Sequence, residues 1–512
     1  MTPARVGVRL VGARQRLDTR RFEVREGAEV VVADTDAPLG RREAAELREF
    51  VTGGGGLVVV GDTLAAWSAA TPIRELSAWM PAGPGPETEL IVRPEPGQPV
   101  TEGLGREWKV RARLYTSEGP AAGATVLLRT SWRFTDQVVA YERKAGAGRF
   151  VYLGLRDDGS PEFEKLLARL VLLAAGRSAP TPAGIGLLGY GAIGRDHAAA
   201  VAATGGLRLA GICDVDAGRR DAAAREWDVP TFATQESMLA DPDISVVVVG
   251  TPPSVHATPV LDAIAAGKHV VCEKPFAISV DDADRMIDAA SAGGRVLTVY
   301  QSRRWDPDFV AMLAVARSGR IGAPFYMESF IGGYDHPCDF WHSHEPISGG
   351  TIYDWGSHYF DWILQLFAQP VTTVTAQAHK RVWHDVTNDD QVRVDLSFAD
   401  GAQASFLQSA IAAARKPKWY LLGTDGALVA TWADADVPAD FPASVSVTTR
   451  TGTERLRLPA REEHGFYHNL ADHLAWGEPL AVSAEEARRN VAVMEAATRS
   501  LKRGGAQLKV EI

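Results

Sequence analysis

The chain has 512 residues, 46% of them apolar and 23% charged, a globular composition that excludes a disordered or fibrous chain; at about 150 residues per domain the length predicts roughly three domains. With 54 basic against 64 acidic side chains the formal charge is −10, which argues against a nucleic-acid partner. No apolar run reaches the ~18 residues of a membrane span, the start Met1-Thr2-Pro3-Ala4-Arg5 lacks the apolar core of a secretory signal, and three cysteines make no disulfide scaffold, so a cytoplasmic protein is expected.

All 12 His and all 3 Cys lie at or after residue 197. The first third therefore has no Cys nucleophile and no Ser-His pair. It reads as α/β, with strands over Val6–Val11, Glu29–Ala33 and Leu57–Val60. Between them Arg41–Val51 has helical spacing, with Ala45, Leu47 and Phe50 on its apolar side. Gly53–Gly56 precede a strand rather than a helix, so they form a turn and no phosphate cradle. Strands follow over Ala124–Leu128, Val138–Tyr141 and Arg149–Leu153. A helix over Pro161–Ala175 starts with Ser160 as N-cap and Pro161 at the first helical position. The small-residue, Pro-containing stretch Ala175–Ala183 is the domain boundary.

The pattern then restarts. Residues 184–189 (GIGLLG) read as a buried strand and lead into Gly189-Tyr190-Gly191-Ala192-Ile193-Gly194 and a helix over Arg195–Ala203. In this GxGxxG, Gly189 permits the tight turn, Gly191 lets the backbone approach a pyrophosphate, and Gly194 lets helix and strand pack closely. The helix N-terminus faces the phosphates. A second strand, Leu207–Cys213, ends in Asp214, 20 residues after Gly194, where a carboxylate meets the ribose hydroxyls. Asp214 favours NAD over NADP, because it repels a 2′-phosphate; Arg219 and Arg220, just beyond, keep NADP as the alternative or simply form a solvated helix start. The valine-rich strand Ser245–Gly250 ends in Thr251-Pro252-Pro253-Ser254-Val255-His256, and such strand-end loops line the cofactor crevice. His256 either touches the nicotinamide side or caps the next helix.

The strand His269–Cys272 runs into Glu273-Lys274-Pro275. GYGAIG, CDVD, TPPSVH and CEKP in this order, then Tyr300–Pro307 (YQSRRWDP), Gly349–His358 (GGTIYDWGSH) and Phe466–Leu470 (FYHNL), resemble the Gfo/Idh/MocA oxidoreductase family over about residues 184–512. The resemblance implies a Rossmann domain followed by an open, mainly antiparallel sheet that carries the substrate. It implies reversible oxidation of a sugar or cyclitol hydroxyl by NAD or NADP, and often a dimerising sheet face, hence a homo-oligomer. The family's catalytic lysine falls on Lys274 and its paired aspartate and histidine on Asp354 and His358; Pro275 stands where the family commonly has a cis peptide.

The chemistry of these residues agrees. Oxidising a secondary alcohol needs a base for the hydroxyl proton and a hydride acceptor facing the carbon. Asp354 and His358 are four apart and share a helix face, so His358 can be the base with Asp354 holding or binding beside it. Lys274 can hydrogen-bond the reacting oxygen and steady alkoxide charge. The expected cofactor contacts are Gly189, Tyr190, Gly191, Ala192, Ile193, Gly194, Asp214, Thr251, Pro252, His256, Glu273, Lys274, Gln301 and Arg304. The expected substrate contacts are Lys274, Tyr334, Trp341, His342, Asp354 and His358. The cluster His336, Cys338, His342 and His344 matches no closed zinc spacing; it reads as an aromatic sugar-binding wall, with Trp341 and Tyr334 stacking on a ring, and no metal is expected. Family members often have arginine after the tryptophan, where this chain has His342. Trp383, His384 and Asn388 are further pocket candidates, whereas Trp419 and Tyr420 read as packing.

Residues 1–178 resemble the ThuA type of class I glutamine-amidotransferase-like fold, through Leu47–Asp62 (LREFVTGGGGLVVVGD), Pro99–Gly103 (PVTEG) and Ala147–Leu155 (AGRFVYLGL). Relatives usually carry a histidine near the Arg156-Asp157-Asp158 that follows. Lacking it, the domain is expected to be non-catalytic. The full expectation is a flavodoxin-like α/β domain over 1–178, a Rossmann domain over 179–304 and an α+β substrate and oligomerisation domain over 305–512. Two further readings stand beside the dehydrogenase: an enzyme that retains NAD and cleaves or epimerises glycosides by transient oxidation, and a catalytically silent dinucleotide-binding sensor or scaffold.

Overall fold

A computed structural model describes residues 6–12, 22–79, 84–101, 107–115, 122–132, 135–156, 161–177, 182–338, 340–432 and 442–510. Ser160, Glu102, Gly103, Asp157, Asp158 and the middle of the 175–183 boundary lie outside the described residues. The chain forms two compact units, Met1–Pro182 with Ala471–Glu478, and Ala183–Leu470 with Pro479–Ile512.

The first unit is built on one nine-stranded sheet: β1 (Val6–Val11), β2 (Phe22–Val24), β3 (Val30–Ala33), β4 (Gly56–Val60), β5 (Pro84–Pro94), β6 (Trp108–Tyr115), β7 (Ala124–Trp132), β8 (Thr135–Ala145) and β9 (Gly148–Leu153). Its order is β2-β1-β3-β4-β9-β8-β7-β5-β6, parallel from β2 to β9 and antiparallel beyond. Strand periodicity divides the core in two. Val30, Val32, Val58 and Val60 pack under the helix Pro161–Ala174; Val31, Ala33, Leu57 and Val59 pack under the helix Arg41–Thr52. That helix buries Ala44, Leu47 and Val51, which corrects the expected face: Ala45 is exposed and Phe50 half-buried, because the spacing i, i+3, i+7 from Ala44 is the one that meets the sheet. β5 and β6 escaped the sequence reading. Their alternation is present, with Leu90, Val92, Val110 and Ala112 buried, but the outward half is charged and pairs across strands, Lys109 with Glu89 at 2.8 Å and Arg111 with Glu87 at 3.3 Å. Charges on an edge strand discourage edge-to-edge pairing. Also in this unit, Arg169 is fully buried and pairs with Asp472 and, at 3.3 Å, with Glu478.

The second unit contains two sheets. The first is wholly parallel: β10 (Ala183–Leu188), β11 (Leu207–Cys213), β12 (Thr231–Phe232), β13 (Val246–Val249), β14 (His269–Cys272) and β15 (Leu297–Val299), in the order β12-β11-β10-β13-β14-β15. This is a Rossmann-type sheet, with the switch in strand order beside β10. Val246–Val249 are all buried, as a strand covered on both faces requires. The second sheet comprises β16 (Pro324–Gly332), β17 (Val371–His379), β18 (Gln391–Phe398), β19 (Gln403–Ser409), β20 (Trp419–Gly423), β21 (Gly426–Thr431), β22 (Ser444–Thr449), β23 (Gly452–Arg455) and β24 (Leu508–Lys509). It is antiparallel except where β16 meets β19. The helices Gly356–Leu366 and Ala484–Lys502 cover one face of it, against β19 and β17. No helix among the described residues is long and apolar enough to cross a membrane.

Candidate active site

The glycine loop joins β10 to the helix Ala192–Ala203. Gly189 has φ of 101°, a conformation side chains with a Cβ resist. A Cβ on Gly194 would lie 2.3 Å from Gly189 O, so helix and strand are in contact there; a Cβ on Gly191 would meet nothing within 4 Å, leaving room over the loop. The first in-helix acceptor is Gly191 O, taken by the Arg195 amide, so the amides of Ala192 and Ile193 precede the helical ladder and are placed for a phosphate. Thr251, just after β13, has a buried hydroxyl with no hydrogen-bond partner among the described residues, and its amide nitrogen lies 3.7 Å from where a Gly189 Cβ would be. An open cradle beside an orphaned hydroxyl fits a dinucleotide phosphate.

Three expected cofactor contacts need correction. Tyr190 donates its amide to Asp214 Oδ2 at 2.8 Å, and its phenol binds Glu226 and Trp227 at 2.7 and 2.8 Å; it braces the loop and has no amide to spare. His256 is the N-cap residue of the helix Ala257–Ala265, whose Val260 amide donates to its carbonyl at 3.2 Å, but its side chain makes no capping bond and presents no ring nitrogen to the crevice. It is buried, with Nε2 2.7 Å from Thr251 O and Nδ1 3.0 Å from Pro275 O, and burial holds its pKa below the usual value. Arg304 is locked in an interior ion pair, bidentate to Asp361 at 2.6 and 2.8 Å and 2.7 Å from Glu486. Asp214 keeps its expected place at the end of β11, held by the amides of Tyr190 and Asp216 at 2.8 Å. Arg219 approaches it at 3.5 Å, and Arg220 is turned onto the carbonyls of Asp214 and Val215. Pro252 begins the turn Pro253–Val255 beside Thr251.

Glu273 and Lys274 leave the end of β14, and the Lys274–Pro275 peptide is cis. Lys274 Nζ lies 3.5 Å from Asp354 Oδ1 and 3.5 Å from Asp354 O. His358 is buried, and no hydrogen bond joins it to Asp354; its Nδ1 lies 3.1 Å from Gln301 Oε1. The Gln301 amide nitrogen donates to Ser357 O at 3.0 Å. Its oxygen therefore faces the imidazole, Nδ1 carries the hydrogen, and the lone pair sits on Nε2. The expected Asp354–His358 clasp is thus replaced by two separate pairs, Asp354 with Lys274 and His358 with Gln301. The cause is local: the backbone turn tightens at Trp355, whose carbonyl accepts from the His358 amide at 3.0 Å. Burial first, then the charges of Lys274, Arg303 and Lys418, push His358 well below the usual imidazole range, so it stands as a neutral base.

The histidine-rich segment separates into two places. Trp341 and His342 stack at 3.6 Å, and the environment of His342 includes Asp354, Lys274 and Glu273, although burial is what chiefly lowers its pKa. His336 pairs with Asp385 at 2.7 Å and meets the Trp383 edge at 4.8 Å; Tyr334, 6.0 Å from Trp383, belongs with it. Among the described residues no three His, Cys, Asp or Glu side chains gather as a metal site. Asn388 binds His342 O at 2.7 Å, and Trp383 donates to Ala410 O. Trp419 is fully buried, as a packing residue should be, whereas Tyr420 is partly exposed. Sequence reasoning gave no role to His197 and Tyr467, which contact each other, with His197 also beside Glu273. The available signal was spacing: His197 follows Gly194 by three and shares its helix face.

Comparisons with known proteins bear on the same residues. The model of the oxidoreductase family with NAD-binding Rossmann fold, GFO_IDH_MocA, matches residues 183–301. The GFO/IDH/MocA C-terminal domain matches residues 309–429. The 1,5-anhydro-D-fructose reductase of Ensifer adhaerens is 30% identical over 278 residues, 54% of this chain and 82% of the relative. This chain belongs to the Gfo/Idh/MocA oxidoreductase family. Another family relative, the scyllo-inositol 2-dehydrogenase (NADP(+)) IolW of Bacillus subtilis (strain 168), is 27% identical over 358 residues, 65% of this chain and 98% of its own. Some curated relatives match over less than half of their own length. Among solved structures, an NAD-binding protein from Listeria innocua aligns with a TM-score of 0.57 and 26% identity, over 64% of this chain and 100% of its own.

Proposed function

We propose that this Gfo/Idh/MocA oxidoreductase interconverts a secondary hydroxyl and a ketone on a sugar, cyclitol or glycoside, with Lys274, Asp354 and His358 as the catalytic set. The observation that carries the reading is the pair of contacts Lys274–Asp354 and His358–Gln301, at 3.5 and 3.1 Å. When bound, the nicotinamide cofactor supplies the hydride acceptor or donor. Lys274 Nζ hydrogen-bonds the reacting oxygen and holds the charge that develops on it. Asp354 keeps that ammonium in place. His358 Nε2 accepts the hydroxyl proton and returns it in the reverse direction. Trp341 and His342 form one wall of the sugar pocket, and Asn388 holds their loop. Tyr334, with Trp383, serves a more distant part of the substrate.

NAD is the proposed preference. Asp214 repels a 2′-phosphate, Arg219 already faces that carboxylate, and Arg220 is committed to carbonyls; NADP, named for the Bacillus relative, is the alternative. Residues 1–178 are read as a ThuA-type, flavodoxin-like domain without chemistry of its own, a reading supported by the parallel strand order β2-β1-β3-β4-β9. Domains over 179–304 and 305–512 and a cytoplasmic homo-oligomer complete the proposal.

The test is to denature the purified protein, identify released nucleotide by mass spectrometry, and follow NAD reduction across a panel of cyclitols, sugars and glycosides, with thermal shifts for NAD and NADP. Reduction of NAD by one substrate class is the expected result. No nucleotide, no shift and no reduction would overturn the assignment.

A further inference from the structure

Beneath Lys274 runs a buried chain of polar groups that the chemistry above does not use. Glu273 Oε2 accepts the Lys274 amide at 2.7 Å. Glu273 Oε1 lies 3.0 Å from His197 Nε2, within ion-pair distance, and neither of these buried atoms makes a hydrogen bond among the described residues. His197 Nδ1 lies 2.7 Å from the Tyr467 hydroxyl. His197 is 1% exposed, Tyr467 0% and Glu273 6%, and the Tyr300 ring closes one side of the imidazole at 4.5 Å. The three side chains come from distant parts of the second unit: the helix after the glycine loop, the end of β14, and the segment up to Leu470 that carries Tyr467.

Donor and acceptor roles follow from this order. A carboxylate carries no hydrogen, so its charge 3.0 Å away favours the tautomer with the hydrogen on His197 Nε2. Tyr467 is held neutral by its burial, has one hydrogen to give, and gives it to Nδ1. The alternative tautomer would set a nitrogen lone pair against the carboxylate. The contacts thus run from Tyr467 to His197 by a hydrogen bond, to Glu273 by charge, and to the Lys274 backbone by a second hydrogen bond.

We propose that His197 and Tyr467 are positioning residues for Lys274, holding Glu273 so that the turn it shares with Lys274 presents the ammonium to the reacting oxygen. This rests on the role given to Lys274 above and adds the segment that carries Tyr467 to the catalytic apparatus. A lysine on a turn that is not held wanders, and misplacement by about 1 Å costs roughly 100-fold in rate.

The test uses the full-length protein and the variants His197→Leu, His197→Gln and Tyr467→Phe. Gln can place an amide N–H where Nε2–H stood; Leu cannot. With NAD and the best substrate, His197→Leu is expected to lose about 10–100-fold in kcat with NAD affinity near wild type, and His197→Gln to recover most of it. Tyr467→Phe, which keeps the shape and removes one hydroxyl, is expected to fall between them and carries the test if His197→Leu does not fold. Wild-type kcat in both Leu and Phe variants, or a Gln variant no better than Leu, overturns the proposal. Histidine 15N spectra of the wild type need no turnover. An Nε2–H tautomer at His197 is expected, and a protonated Nδ1 overturns the relay. If the wild type reduces no NAD with any polyol, the dehydrogenase reading fails while the tautomer result still stands, so the two failures are told apart.

Discussion

Both units run a parallel strand into a glycine with positive φ, β1 into Gly12 at 91° and β10 into Gly189 at 101°, yet the two strand crests are put to different use. In the first unit the polar groups satisfy one another. The Thr35 amide donates to Thr63 Oγ1 at 2.8 Å, Thr35 Oγ1 accepts from Ala37 at 3.1 Å, and Arg156 pairs with Asp62. A Cβ on Gly12 would lie 2.0 Å from Asp34 O, so that glycine serves only its own chain. In the second unit the capacity is left open among the described residues: space over Gly191, an unpaired Thr251 hydroxyl, a His358 whose hydrogen bond uses only Nδ1, and a lysine held at 3.5 Å. Similar strand-turn architecture thus serves folding in one place and a ligand in the other, and what separates them is which hydrogen-bonding groups remain unspent.

The largest expected effect contrasts two cations at the two crests. Lys274→Met should lower kcat by about 1,000-fold, roughly 4 kcal/mol of transition-state stabilisation, with NAD affinity retained. Arg156→Met, which breaks the pair with Asp62, should leave kcat within about twofold, as a surface ion pair contributes little. Steady-state kinetics with NAD titration reads both. Comparable rates for the two variants would erase the distinction between the crests.

Next come the two buried arginines. Arg304→Met strands Asp361 and should destabilise the second unit by about 3–5 kcal/mol, because an unpaired buried carboxylate remains; Arg169→Met leaves Asp472 still paired with Lys165 and should cost its unit less. Chemical denaturation monitors both. Below its unfolding transition, Arg304→Met should bind NAD as the wild type does, and a selective loss of NAD affinity would restore Arg304 to the cofactor site.

These arginines show where the sequence is readable. The glycine loop was legible because each glycine does a local job: φ at Gly189, contact at Gly194, open space at Gly191. Arg304 was not, because its partners Asp361 and Glu486 lie 57 and 182 residues away and nothing in YQSRRWDP indicates them. The i, i+4 spacing of Asp354 and His358 suggested a shared face, but it could not foresee that Asp354 would turn to Lys274 and His358 to Gln301. β5 and β6 went unread because charged residues are interleaved with apolar ones in each, and the alternation that buries Leu90 and Val92 was masked by Glu87 and Glu89.

The glycines themselves give a smaller, reciprocal effect. Gly191→Val should weaken NAD binding about tenfold or more, since its side chain fills the space meant for phosphate, with thermal stability little changed. Gly12→Ala should cost about 1–3 kcal/mol of stability through its positive φ and its clash with Asp34, with NAD affinity unchanged. A Gly12 variant that binds NAD poorly would mean the first crest is not silent.

The smallest effect is one of pH. Burial lowers the pKa of His256 and His358, while unfolded imidazoles titrate near about 6.5. Below that value the unfolded chain binds protons that the folded protein refuses, so stability falls with pH. The loss begins near pH 6.5 and levels off below the folded pKa values. It precedes the carboxylate contribution, in which Glu486 and Asp284, held low despite or beside burial by Arg304 and Arg488, give up stability as pH drops below roughly 4.5. Residues 1–196 contain no histidine and have no such term. Hydrogen exchange between pH 7.5 and 5.5, corrected for intrinsic rates, should therefore show protection falling around residues 256 and 358 and holding steady in β3 and β4. His358→Asn should remove the part of the response around residue 358 and leave that of His256. An equal loss of protection in both units would mean that the acid response belongs to the chain as a whole and not to the imidazoles buried at the second crest.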